Sequence, residues 1–550
     1  MMFAVVCIAL SLSLLYWWTN KARCKSLGES LQHHRRLPPG PDGLPVIGSI
    51  LHMVWNRPVY RWVHRLLEEM NTDILCLRFG AVHVVVVTSP EIAREVLRKN
   101  DAVFASRPVS FTSESFSLGY KGVTMSPYGE QWKKMRRVLT REILSPSMER
   151  LFQRRREEEA DHLIRFVYSR CSSGSGAPAA NDDGGLVNIR YVAQHFCANT
   201  IRTLMFGRRH LGSGDEPILS SFAGPEEEAH LSALLTLVGY VFNFTISDYI
   251  PAWIGLDIDG QNKVVKGVMK TLNRLHDPII QGRIHEWSAG LVGRSGGDDD
   301  DDNDNRDQTS TCCRDFLDVL VSLRDSEGLP LLSPDEIRAA TVEIQAASID
   351  NPSNALEWVL AEMMNRPEVM QKAISELDRV VGKERLVQES DIPRLNYLKS
   401  CIREAFRLHP YHAFNLPHVA MEDTTLSGYL VPKGSHVLVS RLELGRNTDT
   451  WDAPLEFRPE RHMAPDVLLA EPDLRFVSFS TGRRGCPGMS LGSTVTMMLF
   501  ARLLHGFTWS MPPGLVHPIQ LKESATDLAL AEPLCLKPQP RLPEHIYPST

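Results

Sequence analysis

The chain has 550 residues, 43% hydrophobic and 23% charged, an ordinary globular balance with length enough for a large core. Sixty Lys and Arg stand against 66 Asp and Glu, a net charge of −6, which excludes a generally basic nucleic-acid binder. Asp298 to Asp307 holds seven Asp and one Arg and accounts for the whole excess. That run reads as a solvated loop, not an acidic binding site. The ten cysteines contain no C-x-x-C pair and are spaced widely and irregularly, which argues against a zinc ribbon, a dithiol redox site or a disulfide framework and favours a reducing compartment for the main body.

The chain opens with Met1 to Trp18, sixteen apolar residues and two serines without a charge, closed by Tyr16, Trp17 and Trp18 and followed by Lys21, Arg23 and Lys25. About 17–25 apolar residues span a bilayer. A cleaved signal peptide would place its positive charge before the apolar run; here the charge comes after it. Residues 1–20 are therefore expected to form a retained transmembrane signal anchor, single-pass in the endoplasmic reticulum with the body in the cytosol. Residues 21–41 form a basic, proline-rich hinge ending in Leu37-Pro38-Pro39-Gly40-Pro41, and proline stops the anchor helix from running into the body.

The remainder, 42–550, reads as one large domain, mainly α with a minor β part. Val82 to Thr88 is β-branched and predicts a strand. Helical periodicity covers 130–170, 190–207, 263–290, 335–365, 368–381 and 395–408. Residues 426–440 read as strand, Pro432-Lys433-Gly434 turn, strand. Flexible loops are expected at 171–185, rich in Gly, Ser and Ala, and at 294–311. Ser333-Pro334-Asp335-Glu336 is a capping box with proline at the first helical position, so a long helix should start there and run to about Met364. Pro352 deprives the Ser348 carbonyl of its partner and predicts a kink with a polar groove beside Asp350 and Asn351.

Phe479-Ser480-Thr481-Gly482-Arg483-Arg484-Gly485-Cys486-Pro487-Gly488 is the most specific segment. Its glycines allow backbone N–H groups close to a sulfur, and two arginines stand beside it. Both effects favour thiolate, and a thiolate so held can ligate haem iron.

This segment resembles the F-x-x-G-x-R-x-C-x-G haem loop of the cytochrome P450 family. Three further motifs occur in the family's order: Trp132-Lys133-Lys134-Met135-Arg136, Glu404-Ala405-Phe406-Arg407, and Pro459-Glu460-Arg461-His462, where His replaces the usual Phe. The resemblance implies a cytochrome P450 fold carrying haem b with Cys486 as the axial metal ligand. It implies that Glu404, Arg407 and Arg461 brace the haem loop, and that Trp132, Arg136, Arg484 and His418 reach the haem propionates. Most relatives have Thr where this chain has Asn351, and Asn cannot relay a proton as a hydroxyl does. Proton delivery then falls to Asp350, water or the substrate, with Asp350 and Asn351 as the catalytic pair.

Asn351 to Trp358, Phe414 to Ala420, Phe457 to His462 and Phe479 to Cys486 resemble the plant amino-acid N-monooxygenase branch. That branch implies two N-hydroxylations of an L-amino acid, aromatic favoured, and loss of carbon dioxide and water to an aldoxime. By position, 110–128, 240–249, 345–350, 411–415 and 526–530 should line the pocket, with Phe111, Phe116, Tyr240, Phe242 and Phe244 supplying aromatic surface. Lys133, Lys134, Arg136 and Arg137 make a basic face. The resemblance implies docking of an acidic NADPH–cytochrome P450 reductase there, which would bind the NADPH and flavins. No dinucleotide fingerprint occurs in this chain. A C-hydroxylase, a haem-thiolate enzyme that does not activate oxygen, and a haem carrier remain as alternatives.

Overall fold

A computed structural model describes residues 36–172, 185–211, 222–250, 257, 259–289, 314–512 and 518–548. The expected anchor, most of the hinge, nearly all of the 171–185 loop and all of the 294–311 loop lie outside the described residues. No helix among the described residues is long and apolar enough to cross a membrane.

The strands are β1 (Ile74–Phe79), β2 (Val82–Val87), β3 (Val187–Asn188), β4 (His418–Val419), β5 (Thr424–Leu426), β6 (Tyr429–Val431), β7 (His436–Val439), β8 (Phe507–Ser510) and β9 (Cys535–Pro540). The largest sheet has the order β1-β2-β7-β4, with β2 and β7 parallel and the other pairs antiparallel. Helix α1 (Val59–Glu69) packs Trp62, Val63 and Leu67 with Leu75, Leu77, Phe79, Val84 and Val86. Ile74, Cys76, Val85 and Val87 belong to a second cluster with Ile92, Val96 and Phe104. Burial on both faces requires an apolar strand throughout, which is why 84–87 is an unbroken valine run. The described end of the hinge lies along this sheet: Cys76 N–H donates to the Pro39 carbonyl at 2.7 Å. At the Pro432-Lys433-Gly434 turn Gly434 has φ +83°. The flanking strands part there, β6 pairing with β5 while β7 joins the main sheet.

The helical layer comprises α2 (Glu130–Val138), α3 (Gln153–Ser172), α4 (Ile189–Phe206), α5 (Pro225–Val241), α6 (Gln261–Ser288), α7 (Pro334–Ala347), α8 (Asp350–Asn365), α9 (Pro367–Val380), α10 (Asn396–Leu408) and α11 (Met489–Gly506). Helix α8 is buried nearly all round, packed among α4, α10 and α11. The expected helices at 190–207, 263–290, 368–381 and 395–408 form within two residues of their predicted bounds.

Two expectations need correction. The stretch 130–170 is not one helix: α2 passes into a wide turn at Leu139–Ile143, and a new helix starts at Pro146. Ser145 caps that start by accepting the Met148 N–H, and a proline cannot continue the preceding turn. The stretch 335–365 is two helices, and the break falls at Ser348–Ile349, one turn before Pro352.

The short helix after β7 (Arg441–Arg446) passes so close to the end of α10 that a Cβ at Gly445 would overlap the Arg407 carbonyl oxygen. Both sides of the contact are backbone, so neither yields cheaply. G445A should destabilise the fold by about 2–3 kcal/mol, read as a lowered midpoint in denaturant.

Candidate active site

The break between α7 and α8 is built from short-range bonds. The Ser333 hydroxyl accepts Glu336 N–H at 3.3 Å and the Glu336 carboxylate accepts Ser333 N–H at 2.8 Å, so α7 starts where the capping box predicts. At its far end the Ser348 hydroxyl donates back to Ile344 O at 2.7 Å, and Ser348 N–H bonds Gln345 O at 3.3 Å. Pro352 is the third residue of α8, where a missing N–H leaves no intrahelical bond unmade. The polar groove expected at a kink is present.

The groove opens on a cavity of about 330 Å³ whose lining includes Asp350, Asn351 and Cys486. Cys486 N–H donates to Phe479 O at 2.8 Å and Gly485 N–H to Gly482 O at 3.0 Å, folding the loop back on itself three residues before α11. Cys486 lines this cavity and is exposed into it, with protein packed closely around the rest of its loop. Burial raises its pKa above the ordinary thiol value, against the pull of the Gly488 N–H and Arg136. The Gly488 N–H and Arg136 act in the direction expected from the sequence, toward thiolate. Desolvation outweighs them, and it is coordination to a metal that deprotonates such a thiol.

One wall carries three arginines with no carboxylate ion-paired to them among the described residues. Arg107 donates to Thr124 O (3.2 Å), Leu416 O (2.8 Å) and Pro417 O (2.8 Å). Arg484 donates to Ala105 O (2.5 Å), Val123 O (3.1 Å) and Ser126 O (2.7 Å), and its guanidinium lies 4.6 Å from the Trp132 ring centre. Arg136 is partly buried beside Cys486. The buried Trp132 Nε1–H has no partner in the protein. Three guanidiniums and a free indole N–H on one wall fit a prosthetic group that carries carboxylates. The sulfur on the same cavity fits that group's metal. No cluster of three His, Cys, Asp or Glu side chains among the described residues could hold an ion by itself. The fit is to haem, which Cys486 would hold at iron and Arg107, Trp132, Arg136 and Arg484 would hold at the carboxylates. His418 lines the same cavity, its Nδ1 2.8 Å from Phe104 O. Burial first, then the charge of Arg107, pushes it down to about 3. Nδ1 therefore carries the proton, and Nε2 is an acceptor unless a carboxylate protonates the ring. Arg107 was missed in the sequence because no motif marks it.

The Glu404 brace is larger than the motifs imply. Arg407 meets both carboxylate oxygens, at 2.7 and 2.8 Å. Arg461 donates at 2.9 Å, the Arg458 N–H at 2.8 Å, and His462 Nε2 at 2.7 Å. His462, noted in the sequence only as a departure, is thus a partner of Glu404. Phe406, beside Arg407 on α10, packs edge-on against Phe479 at the start of the haem loop, with ring centres 5.9 Å apart. Burial by itself would raise Glu404, but Arg407 and His462 pull its pKa down to about 2.

Asp350 is buried, and neither carboxyl oxygen has a hydrogen-bond partner. Burial, helped by the charge of Asp527, lifts its pKa to about 8, so it is a neutral acid with a proton to give at pH 7. Asn351 Oδ1 lies 3.5 Å from Arg441 Nη2. Segments 110–128, 240–249, 345–350 and 411–415 reach the cavity through Phe116, Val123, Thr124, Phe242, Ala346, His412 and Phe414, among others. Segment 526–530 does not, because Leu528 is packed under α1 and its carbonyl accepts Trp358 Nε1–H. Phe111, Tyr240 and Phe244 also stay off the lining; α4 takes their place through Cys197, Thr200, Ile201 and Leu204. On the basic face, Lys133 pairs with Glu130 (2.8 Å) and Lys134 with Glu336 (2.7 Å), while Arg137 is exposed.

A cavity lined by a glycine-loop cysteine, a wall of arginines and a buried acid beside a helix break fits a haem-thiolate enzyme. A family model described as Cytochrome P450 matches residues 38–535, and the chain belongs to that family. It is 53% identical to a tyrosine N-monooxygenase of Sorghum bicolor, over 93% of this chain and 88% of that one. It is 45% identical to a phenylalanine N-monooxygenase of Prunus mume over 99% and 98%, and 49% identical to a tryptophan N-monooxygenase of the same species over 93% and 91%. A zebra fish cytochrome P450 solved with progesterone superposes with a TM-score of 0.68 at 23% identity, covering 88% of this chain and all of that one, which shows the fold.

E404A strands two buried arginines and should cost about 3–5 kcal/mol, while H462F removes one donor of five and should cost about 1.5 kcal/mol; urea unfolding compares them. The Glu404 contribution is full above its ordinary pKa of 4.5 and is lost as pH falls through about 2. Asp350 predicts the opposite limb. Turnover should fall as pH rises through about 8, and D350N should lower it on the order of 100-fold and abolish that limb, with the carbon monoxide spectrum of the haem intact.

Proposed function

We propose that this chain converts an L-amino acid, tyrosine or phenylalanine favoured, to its aldoxime. Two N-hydroxylations each consume one O2 and one NADPH and release one water, and the dihydroxylated product then loses carbon dioxide and a further water. The observation that carries this reading is the similarity of nearly the whole chain to relatives named for N-oxygenation of tyrosine, phenylalanine and tryptophan. Those names share the α-amino group and an aromatic side chain.

Bound haem supplies oxygen activation. The rest falls to the chain. The cavity's Phe116, Val238, Phe242 and Leu204 offer apolar surface for an aromatic side chain. Asp350, held neutral, is placed to deliver protons from its carboxyl. Asn351, in place of a hydroxyl residue, offers amide N–H donors. Electrons are proposed to come from NADPH–cytochrome P450 reductase, docked at Lys133, Lys134 and Arg137. Arg137 is the member of that set with no ion pair of its own among the described residues. Met1 to Trp18 is proposed to anchor the protein in the endoplasmic reticulum membrane with the body in the cytosol. The aldoxime would enter secondary metabolism, cyanogenic glucoside formation being one fate.

The test is expression of the full chain in membranes with reductase, NADPH and oxygen, offered a panel of L-amino acids, with product analysis. An NADPH-dependent aldoxime from tyrosine or phenylalanine is expected. An intact haem-thiolate spectrum with no amino acid consumed would overturn the reading.

A further inference from the structure

Arg441 stands apart from the other cationic groups of the cavity. It follows β7, where Ser440 caps the short helix Arg441–Arg446 by accepting Glu443 N–H at 3.0 Å. Its own N–H is held by Ala413 O at 2.8 Å, so its backbone is fixed against the 411–415 segment. The side chain is 7% exposed and lines the cavity. Nε donates to Val477 O at 3.0 Å, and Nη2 reaches only to Asn351 Oδ1 at 3.5 Å.

Most other arginines buried to this degree hold a carboxylate: Arg156 holds Glu389, Arg403 holds Glu471 and Arg407 holds Glu404, while Arg202, which donates to Asn199 Oδ1 and Arg209 O, sits in the field of Glu227 and Glu159. Arg107 and Arg484 do not, but they influence each other and His418 as one wall, the wall assigned to the haem propionates. Arg441 belongs to neither set. Among the described residues no carboxylate ion-pairs with it, and burial is the sole influence on its titration, lowering it to about 10 and leaving it charged at neutral pH. A guanidinium kept charged in a protein interior without a partner is costly, and the cost is removed when an anion arrives. Asp350, neutral at pH 7, does not supply that anion.

We propose that Arg441 anchors the carboxylate of the amino-acid substrate, a reading that rests on the function proposed above. The planar fork of a guanidinium pairs bidentately with a carboxylate. In an amino acid the α-nitrogen lies about 2.5 Å from the carboxyl carbon. A carboxylate seated on Arg441 therefore holds the amine beside Asn351 and the break in the helix. The side chain is left to the apolar lining. The anchor reads the part of the substrate that every amino acid shares.

The test uses the full-length haem-loaded protein with L-tyrosine and tyramine, which differ only in the carboxylate, and L-phenylalanine and phenethylamine as a second pair. Affinities are read from the change in haem absorption on titration, after the carbon monoxide spectrum has shown an intact thiolate ligand. Wild type should prefer each amino acid to its amine. R441Q should lose on the order of 100-fold in amino-acid affinity with amine affinity unchanged, and R441K should recover part of the loss. An unchanged preference in R441Q, or equal loss for acid and amine, overturns the anchor. If R441Q does not retain haem, the same comparison on R441K decides: a reduced preference supports the anchor and an unchanged one overturns it. A wild type that makes aldoxime while R441Q keeps its preference sinks the anchor alone. A wild type that neither prefers amino acids nor makes aldoxime sinks both readings.

Discussion

Glu404 is a fully buried carboxylate with both oxygens filled, by Arg407, Arg461, His462 and the Arg458 amide. A buried carboxylate is tolerable only when its lone pairs are all engaged, so these partners are fixed in space together. Arg407 also bonds the carbonyls of Gly445, Pro454 and Glu456, and Arg461 those of Asp452 and Ala453. The guanidiniums of Arg407, Arg461 and Arg475 all lie over the Trp451 ring. One carboxylate thus ties α10 to the 445–462 loops, and through Phe406 and Phe479 to the loop that carries Cys486. The position of the sulfur thus depends on this brace as well as on the loop's own bonds.

The cavity is electrically divided. Arg107, Arg136 and Arg484 make one side positive without carboxylates of their own, while the acids that face inward, Asp350 and Glu343, are raised by burial to about 8 and about 7. Glu343 still accepts the Val123 and Thr124 amides, at 2.6 and 3.1 Å, and so holds the 122–124 segment against α7. A protein that kept its inward acids ionised would neutralise its own arginines. Desolvation shifts both toward the neutral form, Asp350 the more fully, and leaves positive charge available for anionic groups that come from outside the chain.

The features legible in the sequence are those whose causes are local. The Ser333 box, the proline at 352 and the glycine-punctuated cysteine loop each carry their reason within a few residues, and the structure has the corresponding cap, break and loop. The valine run of β2 was legible because two-sided burial leaves a composition signature. What was not legible depends on distant partners. His462 reads as a lapse from a motif until Glu404, 58 positions away, is beside it. Arg107 and Arg441 carry no flanking pattern and gain meaning only from the carboxylates that are missing around them. The wide turn after α2 was hidden because the apolar period continues through it, and the exclusion of 526–530 from the pocket follows from packing under α1 that no periodicity records.

The interruption at Ser348–Ile349 divides the cavity's longest wall mechanically. Helix α8 is clamped among α4, α10 and α11, whereas α7 packs against α5 and α6 as well as α4. A continuous helix would transmit any shift of its first half to its second. With the backbone ladder interrupted, α5, α6 and α7 can be remodelled by substitution while Asp350 and Asn351 stay where the core holds them. In such an architecture the apolar lining and the polar residues at the break are separately evolvable, and a lineage can change one without rebuilding the other.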